Sequence, residues 1–405
     1  MASILRIRDV RLIVGAVGLS AAGDTVLWVL LALHVGAATG SAFATSAVFV
    51  CLWGPVVVLG GVAGRIVDRR ENRGLLIAVS LAQAAVVAGM ACATGSFPVL
   101  LALCALLGAG AAVSSPAEFA LVPAAAGEDR VAEANGHVEA ARYLGMTAGP
   151  LLGGALAAAG LTRAGLLLDA ASFASVAAAG MALHARRAPA HAGPSGERRE
   201  RRACLAILRR DRALAITLAA AIAALLFFTI SITADVFFAT EVLDAGSAGF
   251  GLLMSAWTLG MVAGAIGIAR RVPRRWLAAG ALLGIALQGA GMLGAAVGAT
   301  MALALAGFLV GGAAHGVKNV LLRTLIHESV PDAMRGRVFA SYNAARNGAE
   351  MGALAAGGVL VGLAGSQVAL GLAGAIPLAI ALGGLALLAG REGVAAPRPA
   401  YAQSG

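Results

Sequence analysis

Charged side chains recur inside long apolar stretches of this sequence. Among the carboxyl groups in such stretches we single out three, those of Asp24, Asp169 and Glu350. A charge within a membrane is costly, so each is a candidate functional group. A carboxyl group whose access to water alternates can take up and release a proton, which makes Asp24 our first proton-site candidate, with Asp169 and Glu350 as alternates. Arg142 could modulate Asp24 or pair with Asp169; a permanently paired, structural Asp24 remains the alternative.

A second polar group lies in the last third of the chain. Lys318, the single lysine, forms one polar stripe with His315 and Asn319. The stripe could face a central cavity, or Lys318 could merely pair with Glu350. Arg346 belongs with them as a charge partner, although Arg346 and Glu350 could neutralise each other across one helical turn. Asp235 is expected to be solvated or to form part of a surface gate.

Long apolar helices must position these groups. The chain has 405 residues, of which 60% are hydrophobic and 12% charged, whereas soluble domains carry about 25% charged residues. Apolar windows of about 20 residues, the length needed to cross a bilayer as a helix, recur throughout. The sequence therefore predicts an all-α polytopic membrane protein with twelve transmembrane helices. We place the spans at 11–34, 43–64, 75–94, 97–124, 138–160, 165–184, 213–239, 248–269, 276–298, 301–325, 338–362 and 367–390.

Arginines between the spans indicate the orientation of the chain. They concentrate in alternate loops, and such basic loops remain in the cytoplasm. Both termini are therefore expected to be cytoplasmic. The net charge of +10 is explained by these loops, so the expected partner is a lipid bilayer and not nucleic acid. The preference for Arg over Lys and the abundance of Ala and Gly suggest a GC-rich bacterial genome, and hence the bacterial inner membrane.

An arginine-rich connection divides the chain near its middle. The boundaries we predict are an N-terminal six-helix bundle at 1–187, a cytoplasmic basic linker at 188–211, and a C-terminal six-helix bundle with a short cytoplasmic tail at 212–405. The linker is either a disordered connection or a basic amphipathic segment lying on anionic lipid.

Short repeats relate the two halves. "LGGVAGRI" at 59–66 returns as "LGMVAGAI" at 259–266, and "AAR" at 140–142 returns at 344–346. The two offsets fall at equivalent spans, so we infer two homologous halves in parallel orientation.

The turn after the second span carries the motif "GRIVDRRENR". Its residues Gly64, Asp68, Arg69 and Arg73 resemble the loop signature of the major facilitator superfamily, although one inner glycine of that signature is missing. The resemblance implies a cytoplasmic gate in which Asp68 meets the start of the eleventh span near Arg337. This latch would hold the outward-open state and break when the protein opens inward.

A glycine-rich stretch on the fifth span also resembles a signature of this superfamily, that of its antiporters. It consists of Gly145, Gly149, Pro150, Gly153 and Gly154 and matches every fixed position of G-x-x-x-G-P-x-x-G-G. Glycines spaced by four lie on one helix face and allow a partner helix to approach closely. The proline permits a bend. The resemblance implies an antiporter, and the alternative is a motif retained only for packing.

Further segments resemble the drug and macrolide efflux branch, which includes siderophore exporters. They are "GD" at 23–24, "LLLDAASF" at 166–173 and "PDAMRGRVFASYNAAR" at 331–346. We therefore expect a monomeric, proton-coupled secondary transporter that exports small amphipathic or hydrophobic compounds by alternating access. A siderophore or metabolite exporter and a uniporter or importer on the same fold are the alternatives. No enzyme, metal or cofactor motif is recognised in the sequence. For the expected antiporter, the energy source is the proton gradient.

Overall fold

The computed structural model describes residues 4–186 and 211–389. Within these ranges the regular structure is helical, with twelve long helices and no strand, so the all-α prediction is confirmed. The helices are α1 (Arg8–Thr39), α2 (Ala42–Arg69), α3 (Asn72–Cys92), α4 (Phe97–Ala126), α5 (Val131–Ala158), α6 (Thr162–Ala182), α7 (Arg212–Phe237), α8 (Gly246–Ala263), α9 (Leu277–Gly298), α10 (Met301–Ser329), α11 (Asp332–Ala364) and α12 (Ser366–Ala389). The predicted linker at 188–211 lies, except for Asp211, outside the described residues.

Eleven of the twelve described helices are long and apolar enough to span a membrane. The exception is α5, because its glycines, Pro150 and Arg142 reduce its mean hydropathy. In membrane proteins, small residues such as these glycines are common at the interfaces between helices. The helix nevertheless continues without interruption from Val131 to Ala158.

Side-chain caps define the first turn of several helices. The hydroxyl of Ser41 accepts from the backbone N–H of Ala44 at the start of α2. The carboxylate of Asp211 accepts from Leu214 N at the start of α7. Such caps satisfy backbone donors that the helix leaves without partners. These helix starts are therefore encoded locally in the sequence.

The helices of each half pack in corresponding pairs. In the first half the pairs are α1 with α5, α2 with α4, and α3 with α6. In the second half they are α7 with α11, α8 with α10, and α9 with α12. Each pair is repeated six helices later, as the parallel repeat in the sequence leads one to expect.

The two halves meet mainly through α2 against α11 and α5 against α8. We call the end of the bundle where α1 begins and α12 ends the terminal end, and the opposite end the remote end. At the remote end one apolar core includes residues of both halves, among them Phe49, Phe237 and Phe250. At the terminal end each half has a separate core, one around Val10 and the other around Leu214. A cleft between the halves therefore opens toward the terminal end.

Hydrogen bonds also join the halves at the remote end. Ser46 of α2 donates to the carbonyl of Leu354 and accepts from the backbone N–H of Gly358 at 3.1 Å. Its hydroxyl also lies 3.2 Å from that of Thr233 on α7. Ser46 thus satisfies backbone groups of α11 where the two halves touch.

Candidate functional site

The central cleft has two neighbouring arms. The first is a cavity of about 250 Å³ lined by α1, α2, α3, α4, α5 and α6. The second is a cavity of about 410 Å³ lined by α2, α7, α8, α10 and α11. Trp53 and Val56 of α2 line both cavities, so α2 forms the wall between them.

Asp24 lies in the first arm, on the α1 face that borders the cavity. Ser20, one turn earlier, also lines this cavity. Asp24 interacts electrostatically with Glu118 of α4 and with Arg142 of α5. The structure thus places the predicted proton site on a surface that water can reach, beside one further carboxylate and one cation.

Arg142 pairs with carboxylates that the sequence analysis did not assign to it. Its Nη2 donates to Glu118 Oε1 at 2.9 Å, and its Nε lies 3.6 Å from Glu139 Oε1. The guanidinium carbon is also 5.1 Å from the centre of the Phe119 ring. The ion pair with Glu118 connects α5 to α4 along the cavity wall.

Asp169 lies behind α1 and is fully buried. Ser172 donates to its Oδ1 at 3.0 Å, and its Oδ2 has no hydrogen-bond partner among the described residues. It faces Gly23, where any side chain would overlap Asp169 Oδ1. Asp169 also interacts electrostatically with Asp24, which makes these two carboxyl groups members of one cluster.

Lys318 lies in the second arm and is only 6% exposed. Its Nζ donates to Gln288 Oε1 at 3.2 Å and lies 3.2 Å from His315 Nδ1. Asn319 follows it on α10 and lines the same cavity. The predicted polar stripe therefore faces the cleft.

Arg346 and Glu350 lie across this cavity from α10, on α11. Arg346 Nη2 donates to Glu350 Oε1 at 2.9 Å, one helical turn away. This geometry is the mutual neutralisation that the sequence analysis left as one alternative. Lys318 interacts electrostatically with both residues, but it makes no ion pair among the described residues.

Aromatic rings form the apolar wall of the second arm. Phe228 of α7 stacks on Trp257 of α8, with ring centres 4.9 Å apart and planes 17° apart. His315 lies 5.5 Å from the Trp257 ring. Trp53 faces this cavity from α2. The arm thus combines flat apolar surfaces with a buried cation.

The glycines of the α5 motif bring α5 into close contact with α1. A Cβ at Gly145 would overlap the carbonyl of Gly18, and one at Gly149 would lie 2.7 Å from Ala22 O. Gly153 packs against the same helix, because a Cβ at this position would lie 3.0 Å from Val29 Cγ1. Three glycines spaced by four therefore form one face on which α1 rests.

The same motif also touches the other half of the chain. A Cβ at Gly154 would lie 2.6 Å from Ser247 O of α8, and one at Gly251 would lie 2.5 Å from Pro150 O. Ser255 of α8 donates to the carbonyl of Thr147 at 2.8 Å. The motif therefore belongs to the contact that closes the remote end.

The motif after α2 lies at the terminal end. Arg73 Nε donates to Gly180 O at 2.9 Å, so this arginine binds the end of α6. A Cβ at Gly64 would meet no atom within 4 Å. Asp68 and Arg69 make no ion pair among the described side chains. The side chain of Arg337, the predicted latch partner, is outside the described residues.

Asp235 differs from the expectation of a solvated position. It is 4% exposed, and its Oδ1 has no hydrogen-bond partner among the described residues. It lies in the last turn of α7, where α7 continues into a π-helical turn at Phe238–Val242 instead of ending at the surface. The local backbone therefore keeps Asp235 within the helical bundle.

Two polar residues of the site, Glu118 and Gln288, were not among the candidates predicted from the sequence. Glu118 is a carboxylate inside the predicted span 97–124, so the rule that selected Asp24 also applies to it. Gln288 is an amide within the span 276–298, and its role depends on α9 lying against α10. Glu118 could therefore have been selected from the sequence, whereas the role of Gln288 could be recognised only in the three-dimensional arrangement.

Comparisons with known proteins agree with this architecture. A sequence model of the Major Facilitator Superfamily matches residues 13–354. A search of curated protein sequences found no significant match.

Similar solved structures include the nucleoside transporter NupG, with 13% identity, a TM-score of 0.71, and coverage of 94% of this chain and 99% of that one. A POT family transporter in complex with 5-aminolevulinic acid has 11% identity and a TM-score of 0.74, with 96% and 97% covered. A bacterial homologue of the human lysosomal transporter Spinster, inward-facing and unoccupied, has 15% identity and a TM-score of 0.66, with 93% and 92% covered. These similarities show a shared fold and confirm the predicted twelve helices in two six-helix bundles.

Proposed function

Because this chain belongs to the Major Facilitator Superfamily, we propose that it is a proton-coupled secondary transporter. In this proposal it exports small amphipathic or hydrophobic compounds, such as drugs, antibiotics or secondary metabolites, by alternating access. The superfamily assignment supports transport, and the drug and macrolide efflux-like motifs in the sequence support export. A siderophore or metabolite exporter, or a uniporter or importer, would use the same fold.

The observation that carries proton coupling is the charge count of the first arm. Asp24 and Glu118 lie beside a single guanidinium, that of Arg142, and Asp169 interacts with Asp24 from behind α1. Like charges held close together disfavour full ionisation. A cluster with more carboxyl groups than cations is therefore suited to hold a proton and to release it when its surroundings change.

The position of α1 connects this cluster to alternating access. Asp24 lies on α1, and α1 packs closely on α5 through Gly145 and Gly149. Since α5 also contacts α8 at the remote end, movement of one half against the other would alter the surroundings of Asp24. We propose that the terminal end faces the cytoplasm of a bacterium, so the open cleft represents the inward-facing state.

Asp24→Asn in proteoliposomes tests this assignment. The cargo would first be chosen by a susceptibility panel in a pump-deficient host, and its counterflow would be measured with and without an imposed pH gradient. Wild-type accumulation should follow the gradient, whereas the Asp24→Asn protein should exchange cargo without responding to the gradient. Asp129→Asn, an exposed carboxylate at the terminal end, is the matched control.

Two results would contradict the proposal at different points. If the Asp24→Asn protein shows gradient-driven efflux at the wild-type rate, Asp24 has no part in the coupling mechanism. If accumulation by the wild-type protein does not depend on the gradient, the protein is a uniporter and not an antiporter.

A further inference from the structure

Lys318 is a buried cation with neutral partners only. Its Nζ contacts the amide oxygen of Gln288 and a ring nitrogen of His315, both at 3.2 Å. Among the ion pairs of the described residues none includes Lys318, and the nearby Glu350 is already bound to Arg346 at 2.9 Å. A buried charge without a counter-charge is strongly unfavourable. An anion next to Lys318 would supply the missing counter-charge.

The second arm also has a net positive charge. Its side chains that ordinarily carry a charge at neutral pH are Lys318, Arg346 and Glu350, with His315 and Tyr342 counted as neutral, and Arg346 with Glu350 forms a neutral pair. One positive charge remains, on Lys318. The other polar groups that line the arm, including Asn319 and Asn347, are neutral. This composition favours a ligand with a single negative charge.

The walls of the arm indicate the shape of the uncharged part of the ligand. The Phe228 and Trp257 rings are stacked and form a flat apolar surface beside His315. Trp53 lines the same cavity from the opposite half of the protein. Flat rings stack favourably on such surfaces, and a volume of about 410 Å³ lies within the range of small-molecule sites.

We propose that the second arm binds aromatic organic monoanions, with the carboxylate or sulfonate at Lys318 and the ring against Trp257. This inference rests on the proposed function and specifies the chemical class of its cargo. Gln288 positions Lys318 from α9, and His315 separates the ammonium from the aromatic wall. The competing explanation is that Lys318 only bridges α10 to α9 through Gln288.

Equilibrium binding to the full chain in lipid nanodiscs tests the proposal. The probes are 2-naphthoate, its neutral analogue 2-naphthamide, and the cation 2-naphthylmethylammonium. We expect 2-naphthoate to bind the wild-type protein about tenfold more tightly than 2-naphthamide. A difference of this size corresponds to the free energy of one modest charge pair. The cation should bind most weakly. Equal affinities for the first two probes, or no binding of 2-naphthoate, would overturn the proposal without the use of any variant.

Substitutions then locate the anion. Lys318→Gln should abolish the preference for 2-naphthoate over 2-naphthamide, whereas Lys318→Arg should retain most of it. Phe228→Ala should weaken both probes to a similar extent. Arg274→Gln removes the same charge from an exposed position at the terminal end, where Arg274 pairs with Glu328, and should leave the preference intact. A preference that survives in Lys318→Gln would support the purely bridging role instead.

This binding measurement is independent of proton coupling because no gradient is present. Failure of gradient-driven transport together with an intact preference for 2-naphthoate would overturn the export mechanism alone. Gradient-driven transport without any preference for the anion would overturn the ligand class alone.

Discussion

Arg142 of α5 donates a 2.9 Å hydrogen bond to Glu118 of α4. Its counterpart in the sequence repeat, Arg346, instead binds Glu350 within the same helix, also at 2.9 Å. The first pair connects two helices beside Asp24, and the second is confined to one turn of α11. A change of protonation can therefore alter the contact between helices in the first half, whereas in the second half it would act mainly on the local charge.

Glu118→Gln should uncouple transport from the proton gradient. The substitution removes the main partner of Arg142, so the guanidinium becomes available to hold Asp24 in its ionised form. We expect gradient-driven efflux to fall by about tenfold, which corresponds to the loss of one modest charge interaction. The effect is measured as the proton movement that accompanies cargo efflux, in proteoliposomes that contain a pH-sensitive dye.

Glu133→Gln is the matched control for this prediction. Glu133 pairs with Arg130 on the surface at 3.0 Å, and exposed pairs contribute less than about 1 kcal/mol. The Glu133→Gln protein should therefore couple cargo efflux to the proton gradient as strongly as the wild-type protein does. If the Glu118→Gln protein also couples normally, the pair between α4 and α5 has only a structural role.

Gly149→Ala should destabilise the protein. A methyl group at this position would overlap the hydroxyl of Thr25 and lie 2.7 Å from Ala22 O, so α1 and α5 would have to separate. The interface glycines of membrane helices exist to allow this close approach. We expect the midpoint of thermal unfolding in detergent to decrease by several degrees.

Gly136→Ala provides the comparison on the same helix. A Cβ at Gly136 would meet no atom within 4 Å, and alanine is the better helix former by about 1 kcal/mol. Its unfolding midpoint should be equal to or above that of the wild-type protein. An unchanged midpoint for Gly149→Ala would show that the α1–α5 contact tolerates a wider spacing.

The sequence predicted the helices well because the bilayer constrains their length and composition. Each apolar run of about 20 residues corresponds to one helix, and the glycine spacing on α5 correctly indicated close packing. The partners of Arg142 could not be derived in this way. Glu118 lies 24 residues before it, and their contact depends on how α4 and α5 are rotated about their axes.

The same reasoning explains the incorrect expectation for Asp235. Its place near the end of a predicted span suggested solvent, but α7 continues past it and buries it to 4% exposure. Residues near the end of a span are the least predictable, because a shift of one turn moves a side chain between water and the interior. The α9–α10 packing that joins Gln288 to Lys318 required the structure for a similar reason.

Gly251→Leu should shift the protein out of the conformation in which the terminal end is open. Gly251 lies on Pro150 and Gly154, where the halves close the remote end. A leucine at this contact would hold α5 and α8 apart, so the remote end should open and the terminal cleft should narrow. Spin labels at F43C on α2 and L363C on α11, both exposed positions near the remote end, should then report a longer distance by pulsed electron resonance.

The control for this measurement is Gly294→Leu, because a Cβ at Gly294 of α9 would meet no atom within 4 Å. The labels require a background in which the native cysteines are replaced by alanine. The control should give the same distance distribution as the labelled wild-type protein. An unaltered distribution in Gly251→Leu would mean that the α5–α8 contact does not determine which end is open.

Glu350→Gln should strengthen the preference of the second arm for anions. The substitution leaves Arg346 without its 2.9 Å partner, so the net charge of the arm rises from one positive charge to two. The affinity ratio of 2-naphthoate to 2-naphthamide should therefore increase several-fold, which corresponds to about 1 kcal/mol, the interaction of two unit charges about 4 Å apart in bulk water. If Glu350 instead carries the transported proton, the same variant would lose gradient-driven efflux. Measuring both quantities on one protein separates a residue that tunes ligand charge from one that couples transport to protons.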